Sequence, residues 1–367
     1  MHNFKNPTRI IYGKGSFSRL EWVLEAFAPE KALVVVGGKS MEREGYLGKL
    51  KGCLDCETVL HHVSHEPSVK VIEEGVSKSK DTDVVVGLGG GSVLDAAKAI
   101  AILLKNDVRL NDVLNSKAKL SKPGVPLIAV PSTSGTGSEV TRVSVVGDTG
   151  ENFKQSFRTE DMYPHTAVVD PELTLSCPSN VTASAGLDAL SHALESFTTK
   201  SPTPITSPLA FRAMELIHKN LLKAFEDGSD IEAREGMSYA SLLAGLAISN
   251  SGLGMVHGIA HALGFRYNIP HGVCCGLLLP YSVEYNSSST KNYDVAARAF
   301  HLNGAKQLSQ HLFDLNEKLG LKPKLKGYGV SEEDFQWIAE HSFSGSMRAN
   351  PREMKVSDVV DLLARMA

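Results

Sequence analysis

Three histidines lie within fifteen residues of an apolar, glycine-rich segment, at His257, His261 and His271. His257 and His261 are four residues apart, so on a helix they would project from one face, one turn apart. Imidazoles in a hydrophobic neighbourhood cost desolvation free energy unless a partner binds them. A metal ion is the simplest such partner, because neutral imidazole is the commonest side-chain ligand. The segment therefore predicts a metal site.

A second segment offers half of such a site. Asp188 and His192 are four residues apart in a predicted helix from Ala183 to Phe197, on a face otherwise marked by leucines. Taken alone, the pair is more typical of a satisfied hydrogen bond in a core. A second helix with two inward histidines, and His271 after a loop, favour the metal instead. One carboxylate and up to three imidazoles suit Fe²⁺ or Zn²⁺ better than Ca²⁺ or Mg²⁺.

A glycine cluster follows the apolar run at residues 84–86 and precedes a predicted helix that contains Asp95; its residues are Gly89, Gly90, Gly91 and Ser92. A strand, a glycine turn and a helix expose backbone N–H groups at a positive helix end, where a pyrophosphate can bind. The match to the dinucleotide fingerprint is imperfect, because Ser92 replaces the third glycine and the turn follows a later strand. A tight turn without a ligand is the alternative.

Other candidates are weaker. The hydroxyl-rich loop at residues 131–141 could bind a phosphate or be an ordinary flexible loop. Cys274 and Cys275 lie in an apolar run, where buried structural cysteines are expected. The histidine cluster at residues 61–65 lies outside any apolar segment, so we do not expect a metal site there. Phe153, Phe197 and Phe265 could line an apolar pocket, but such aromatic residues are more often core residues.

Composition limits the class of protein. The chain has 367 residues, a formal charge of −3 and 42% hydrophobic residues, which favours two domains. The chain contains no run of five or more basic residues, so the sequence does not indicate a nucleic-acid partner. Five cysteines without framework spacing indicate a reduced compartment. With no signal-peptide pattern, and polar interruptions in the longest apolar run, we expect no membrane segment and a cytoplasmic protein.

The elements that must position these residues fall into two classes. Continuous apolar runs predict buried parallel strands at residues 32–36, 58–60, 83–86, 127–131 and 167–171. Helical periodicity predicts long helices at residues 208–226, 231–249, 290–319, 331–341 and 356–366. The prediction is an α/β plus all-α protein, with a Rossmann-like parallel-sheet domain at residues 1–180 and a helical domain at residues 181–367. The most loop-like interior segment is 111–124.

Together these motifs resemble the iron-containing (group III) alcohol dehydrogenases, which have a dehydroquinate-synthase-like fold. The resemblance covers most of the chain, from Tyr12 to about Asn286. Its most specific parts are the segment from Gly186 to Glu195 and the histidine segment.

The resemblance implies a role for each matching residue. The implied metal ligands are Asp188, His192, His257 and His271. His261 is then not a ligand but lies beside the substrate and takes part in proton transfer. The implied cofactor-binding residues are Gly38, Lys39, Ser40, Gly89, Gly90, Gly91, Ser92, Asp95, Thr133, Thr136 and Lys154. Cofactor and metal are expected in the cleft between the two domains.

One departure from the family pattern concerns the nucleotide. Family members that prefer NAD carry an aspartate where this chain has Gly38, followed by Lys39 and Ser40. A carboxylate there would bond the ribose hydroxyl and repel a 2′-phosphate. Its absence, with Lys39 and Arg43 near, favours NADP(H) over NAD(H).

The implied reaction is reversible hydride transfer between a primary alcohol and NADP⁺, with Fe²⁺ or Zn²⁺ as the metal. A zinc-dependent glycerol or polyol dehydrogenase and a dehydroquinate-synthase-like lyase are alternatives of the same fold. A non-catalytic nucleotide- or metal-binding protein is an alternative of another class. The expected partner is a small alcohol or aldehyde, and the resemblance implies a homodimer or higher homo-oligomer.

Overall fold

The computed structural model describes residues 3–64, 67–147, 154–343 and 345–367. The chain divides into two compact units. The α/β unit comprises residues 6–133 and 137–177, and the helical unit comprises the described parts of residues 1–5, 134–136 and 178–367. The boundary predicted between residues 180 and 181 lies in the first turn of the helix Ser179–Thr198.

The α/β unit is built on a six-stranded parallel sheet of order β1-β8-β5-β4-β2-β3, and β6 pairs with β7 in an antiparallel hairpin. Its strands are β1 (Arg9–Tyr12), β2 (Lys31–Val36), β3 (Glu57–His62), β4 (Val84–Gly89), β5 (Leu127–Pro131), β6 (Val143–Val146), β7 (Gln155–Arg158) and β8 (Thr166–Val169). Its helices are α1 (Leu20–Glu25), α2 (Ser40–Arg43), α3 (Tyr46–Gly52), α4 (Val69–Lys78), α5 (Gly91–Leu103) and α6 (Leu110–Leu114).

The apolar runs form strands because both faces of the sheet are covered. Successive side chains of β2 point to opposite faces. Leu33 and Val35 join the core under α4 and α5, whereas Val34 and Val36 join the core under α1 and α3. A strand buried in this way needs apolar residues at every position, which explains why its sequence does not alternate.

The helical unit contains nine helices within the described residues. They are α7 (Ser179–Thr198), α8 (Thr206–Glu226), α9 (Ile231–Ser251), α10 (Met255–Tyr267), α11 (His271–Asn286), α12 (Asn292–Ala296), α13 (Ala305–Lys318), α14 (Phe335–His341) and α15 (Val356–Met366). A parallel-sheet unit followed by a helical unit confirms the predicted fold class.

One segment prediction was wrong. The segment 290–319 is not one helix, because His301 and Gly304 adopt left-handed backbone conformations with φ of 60° and 92° and separate α12 from α13. The segment 111–124, predicted as the most loop-like, contains most of α6 at its start and has no helix or strand over residues 115–124. In the described part of the chain, no single helix is long and apolar enough to cross a membrane. The bent pair α9 and α10 meets that criterion by length and composition only.

Candidate functional site

One buried carboxylate oxygen in the helical unit faces three imidazoles. Asp188 Oδ1 lies 3.3 Å from His257 Nε2 and 3.6 Å from His271 Nε2. His192 Nε2 lies 3.7 Å from the same oxygen. The structure thus brings together the four residues that the resemblance implies as metal ligands.

Three helices position this cluster. Asp188 and His192 are one turn apart on α7, while His257 lies in the first turn of α10 and His271 begins α11. Gly272 lets α11 approach α7 closely, since a Cβ at that position would lie 1.8 Å from the backbone oxygen of Ser184. Only glycine permits so short a distance between the two backbones.

Glu195, one turn beyond His192 on α7, orients His257. Glu195 Oε2 lies 2.6 Å from His257 Nδ1, and the Val256 N–H donates to Glu195 Oε1 at 2.7 Å. A carboxylate only accepts, so Nδ1 carries the proton and Nε2 faces Asp188. In the sequence, Glu195 is the last residue of the motif from Gly186 to Glu195, and no role is predicted for it.

The charges of the cluster compensate one another. Burial lowers the pKa of His257, but the charge of Glu195 and the hydrogen bonds to Asp188 and Glu195 outweigh it and raise the pKa to about 9. Burial raises the pKa of Asp188, but the surrounding histidines outweigh it and hold that pKa well below its usual range. Burial lowers the pKa of His192. Asp188 in its ionised form and His192 in its uncharged form can each bind a cation, whereas His257 has to release one proton before its Nε2 can bind a metal.

His261 lies beside the cluster. Its ring centroid is 5.1 Å from that of His271, in a stacked arrangement, and 6.3 Å from that of His257. Among the described residues, the one group of donors close enough to hold an ion comprises Asp188, His257, His271 and Cys275. It includes neither His261 nor the implied ligand His192, whose Nε2 lies 3.7 Å from Asp188 Oδ1. Helical spacing alone would have paired His261 with His257 as a second ligand. The proton-transfer role implied for His261 stays a prediction.

The sequence predicts that Cys275 is a buried structural cysteine. It is buried, but it also faces the cluster. Its Sγ lies 3.6 Å from His271 Nε2 and 3.9 Å from Asp188 Oδ1. Burial, and then the charge of Asp188, raises the pKa of this thiol well above its ordinary value. The signal that could have found it is the four-residue spacing from His271, which places both side chains on one face of α11.

The glycine cluster of the α/β unit lies where β4 leads into α5. Gly90 is the N-terminal cap residue of α5, and no described side chain caps that helix. A Cβ at Gly89 would lie 2.6 Å from Val93 Cγ2, so glycine permits the tight passage from strand to helix. A Cβ at Gly90 would lie 3.3 Å from Thr133 Oγ1, which places the predicted Thr133 beside this turn. The implied contacts of Gly89 to Ser92 and Thr133 with a cofactor stay predictions.

Asp95 serves as an anchor within the α/β unit. Its carboxylate accepts from Ser138 Oγ and, at 2.9 Å, from the Val145 N–H. The buried Lys98 ammonium lies 3.1 Å from the same carboxylate. These contacts fix the loop after β5 to the start of α5. A contact between Asp95 and the cofactor stays a prediction.

The remaining predicted cofactor residues occupy several places. Gly38 and Lys39 are exposed in the turn between β2 and α2, and Ser40, also exposed, is the first residue of α2. Thr136 belongs to the helical unit, and Lys154 immediately precedes β7 in the α/β unit. Their cofactor contacts also stay predictions.

Among the described residues, His61 and His62 belong to no group that could hold a metal ion. His61 and His62 are consecutive in β3, so they point to opposite faces, one buried and one exposed. Phe197 packs against Phe211 with ring centroids 5.9 Å apart. His65 and Phe153 lie outside the described residues.

Comparison with known families covers almost the whole chain. Residues 7–171 match the family described as iron-containing alcohol dehydrogenase. Residues 182–367 match the C-terminal part of the Fe-containing alcohol dehydrogenase family. The chain belongs to the iron-containing alcohol dehydrogenase family. This membership confirms the resemblance and identifies the protein as an oxidoreductase.

Individual relatives of this alcohol dehydrogenase differ in cofactor and substrate. An NAD-dependent methanol dehydrogenase of Bacillus methanolicus is 33% identical, covering 99% of both chains. An NADPH-dependent butanol dehydrogenase of Clostridium saccharobutylicum is 35% identical, covering 98% of this chain and 96% of the relative. Among solved structures, a 1,3-propanediol oxidoreductase has a TM-score of 0.93 at 30% identity and covers 100% of both chains.

Proposed function

We propose that this alcohol dehydrogenase reduces aldehydes with NADPH and oxidises primary alcohols with NADP⁺, using Fe²⁺ or Zn²⁺ held by Asp188, His192, His257 and His271. The observation that carries the proposal is the single oxygen of Asp188 facing three imidazole nitrogens at 3.3 to 3.7 Å. Metal–ligand bonds of about 2.1 Å in a tetrahedron separate neighbouring donors by about 3.4 Å. The spacing of Asp188 from each imidazole therefore fits a divalent ion, and Asp188, His257 and His271 also belong to the group of donors that all lie within 4.8 Å of one another.

The bound metal supplies Lewis acidity, which lowers the pKa of an alcohol hydroxyl. The chain's own residues do the rest. Asp188 contributes the negative charge that offsets the cation, and Glu195 holds His257 with Nε2 directed at the site. His261, next to His271 and partly exposed, relays the hydroxyl proton to solvent, since imidazole titrates near neutrality.

The α5 N-terminus and the β2–α2 turn support the cofactor assignment. The amide groups at the start of α5 suit the pyrophosphate. Nicotinamide specificity varies within the family, because one relative is named NAD-dependent and another NADPH-dependent. In this chain the turn has Gly38 in place of a carboxylate, and Lys39 beside it is positive, so the turn favours a 2′-phosphate.

The lyase alternative requires several lysines or arginines in the pocket to bind its substrate, which is a phosphorylated acid. Arg266, the main cation near the histidine segment, is exposed and forms a two-bond ion pair with Asp334, at 3.0 and 3.1 Å. That pairing favours a surface role for Arg266 and weakens the lyase alternative.

The test is oxidation of NADPH and NADH with a panel of aldehydes, on protein purified without oxygen and analysed for bound metal. We expect NADPH turnover with small aldehydes and about one divalent ion per chain. His257→Ala should lose both metal and turnover, whereas His261→Ala should keep the metal and react more slowly. Equal loss of metal in both variants would contradict the division of roles, and no aldehyde turnover by metal-loaded protein would contradict the function.

A further inference from the structure

Cys275 is a fifth potential donor to the Asp188 cluster. It lies one turn after His271 on α11 and is fully buried. Its neighbour Cys274 is also buried, and its Sγ lies 3.9 Å from the Ile269 carbonyl oxygen. Of these two adjacent buried thiols, the group of clustered donors includes only that of Cys275.

The distances around Cys275 match those of a metal site with a sulfur ligand. Donor atoms of Asp188, His257, His271 and Cys275 all lie within 4.8 Å of one another. For a tetrahedral zinc ion with bonds of about 2.1 Å to nitrogen and about 2.3 Å to sulfur, these two donors lie about 3.6 Å apart. The observed separation of His271 Nε2 and Cys275 Sγ is 3.6 Å.

We propose that the sulfur of Cys275 is a ligand of the metal ion. The proposal rests on the metal site of the proposed function. Both zinc and iron accept thiolate ligands, so sulfur ligation is compatible with either metal of the proposed function. On binding, a sulfur–metal bond replaces the S–H bond, and the proton passes to solvent without any change of oxidation state.

The test is X-ray absorption at the zinc edge on the zinc-loaded full-length protein, with metal stoichiometry measured in parallel. Wild type should show a sulfur neighbour at about 2.3 Å from zinc. Cys275→Ser should lose this neighbour, and the matched control Cys274→Ser should keep it. After replacement of zinc by Co²⁺, a near-ultraviolet sulfur-to-cobalt absorption band should follow the same pattern. Neither readout depends on turnover.

The outcomes separate this proposal from the proposed function. One ion per chain with only nitrogen and oxygen neighbours in wild type overturns sulfur ligation and leaves the metal site intact. A sulfur signal that survives in Cys275→Ser also overturns it. Absence of an ion, or undiminished binding by His257→Ala, overturns the metal site and the sulfur ligand together. Even where Cys275→Ser does not fold, a wild-type spectrum without a sulfur neighbour overturns the proposal.

Discussion

Glu195 determines which nitrogen of His257 faces the metal site. Its carboxylate lies 2.6 Å from Nδ1 and is held on its other oxygen by the Val256 N–H. Such a carboxylate fixes the imidazole tautomer and increases the basicity of the nitrogen that binds the metal. Glu195 is therefore a positioning residue rather than a ligand.

Glu195→Gln should weaken metal binding without unfolding the protein. An amide of the same shape still fills the site but removes the negative charge, and loss of such a partner typically lowers metal affinity by about 10- to 100-fold. The measurement is the Kd for Zn²⁺ by competition with a chelator. Glu235→Gln on α9, where the carboxylate accepts from the Tyr239 hydroxyl, is the control and should bind zinc as wild type does. An unchanged Kd in Glu195→Gln would refute the positioning role.

At the residue scale, the sequence indicated which residues could bind a metal more reliably than it indicated which side chains would be in contact. The four implied ligands do lie near one another. Two of them share a helix face, which their spacing predicts, whereas the other two were implied by the family motif. Helical spacing did not distinguish the pair His257 and His261 from the pair His271 and Cys275. In each pair the residues are four apart, but only the second pair has both side chains among the four clustered donors. Which helix face meets a neighbouring helix depends on packing, and a pattern along one helix does not contain it.

Gly38 offers a direct test of nucleotide preference. Among the described residues, no atom lies within 4 Å of a Cβ built there, so a side chain fits. Gly38→Asp should lower the NADPH/NADH ratio of kcat/KM on the order of tenfold, because a carboxylate repels a 2′-phosphate and bonds a ribose hydroxyl. Steady-state kinetics with both nucleotides measures the ratio. The uncharged Gly38→Ala should keep the wild-type ratio, and an unchanged ratio in Gly38→Asp would remove the basis for the NADP(H) assignment.

At the scale of elements, the site depends on how closely α11 packs on α7. The missing side chain of Gly272 allows the start of α11 to lie against Ser184. This approach brings His271 to Asp188, so a glycine with no chemistry of its own controls the geometry of the metal site.

Gly272→Ala should push the two helices apart. Intrinsic helix propensity alone would favour alanine by about 1 kcal/mol. The overlap of the new Cβ with a backbone oxygen should outweigh this and cost about 3 kcal/mol of the free energy of unfolding, with weaker zinc binding. Denaturant unfolding and zinc titration measure the two effects. Gly345→Ala is the control, since a Cβ there meets no described atom within 4 Å. Equal behaviour of the two variants would contradict the packing argument.

Sequence periodicity predicted elements well where burial is uniform and poorly where the backbone turns. The strands β2 and β4 are buried on both faces, so all residues of β4 and all residues of β2 after Lys31 are apolar. The segment 290–319 kept a helical pattern across a break, because both α12 and α13 bury apolar residues. The left-handed conformation of His301 has no signature in that pattern.

At the scale of the whole chain, the order of α/β and helical segments could be predicted, because strand-like and helix-like patterns are separated along the sequence. One feature could not be predicted. Residues 134–136 belong to the helical unit although they lie between segments of the α/β unit. A Cβ at Gly135 would lie 2.8 Å from the Ala185 carbonyl oxygen of α7, so this short segment packs on the helix that carries Asp188. Only tertiary contacts reveal such an assignment.

Metal removal should destabilise the helical unit as a whole. The implied ligands come from α7, α10 and α11, so an ion joins three helices that the unfolded chain does not hold together. A ligand that binds only the native state at 100 times its Kd adds about 2.7 kcal/mol to the free energy of unfolding. For a unit of this size that corresponds to a fall in Tm of roughly 5 to 10 °C when a chelator removes the ion. Thermal unfolding followed by circular dichroism, with and without chelator and then with added Zn²⁺, measures it.

His257→Ala provides the control for this shift. With its central imidazole removed, the variant should unfold at the same temperature with chelator and with Zn²⁺. His261→Ala should keep the full shift, because His261 lies beside the ligands and outside the group of clustered donors. A shift that persists in His257→Ala would place the stabilising ion elsewhere on the protein, for example at the other cysteines. A shift lost in both variants would instead make His261 part of the metal site.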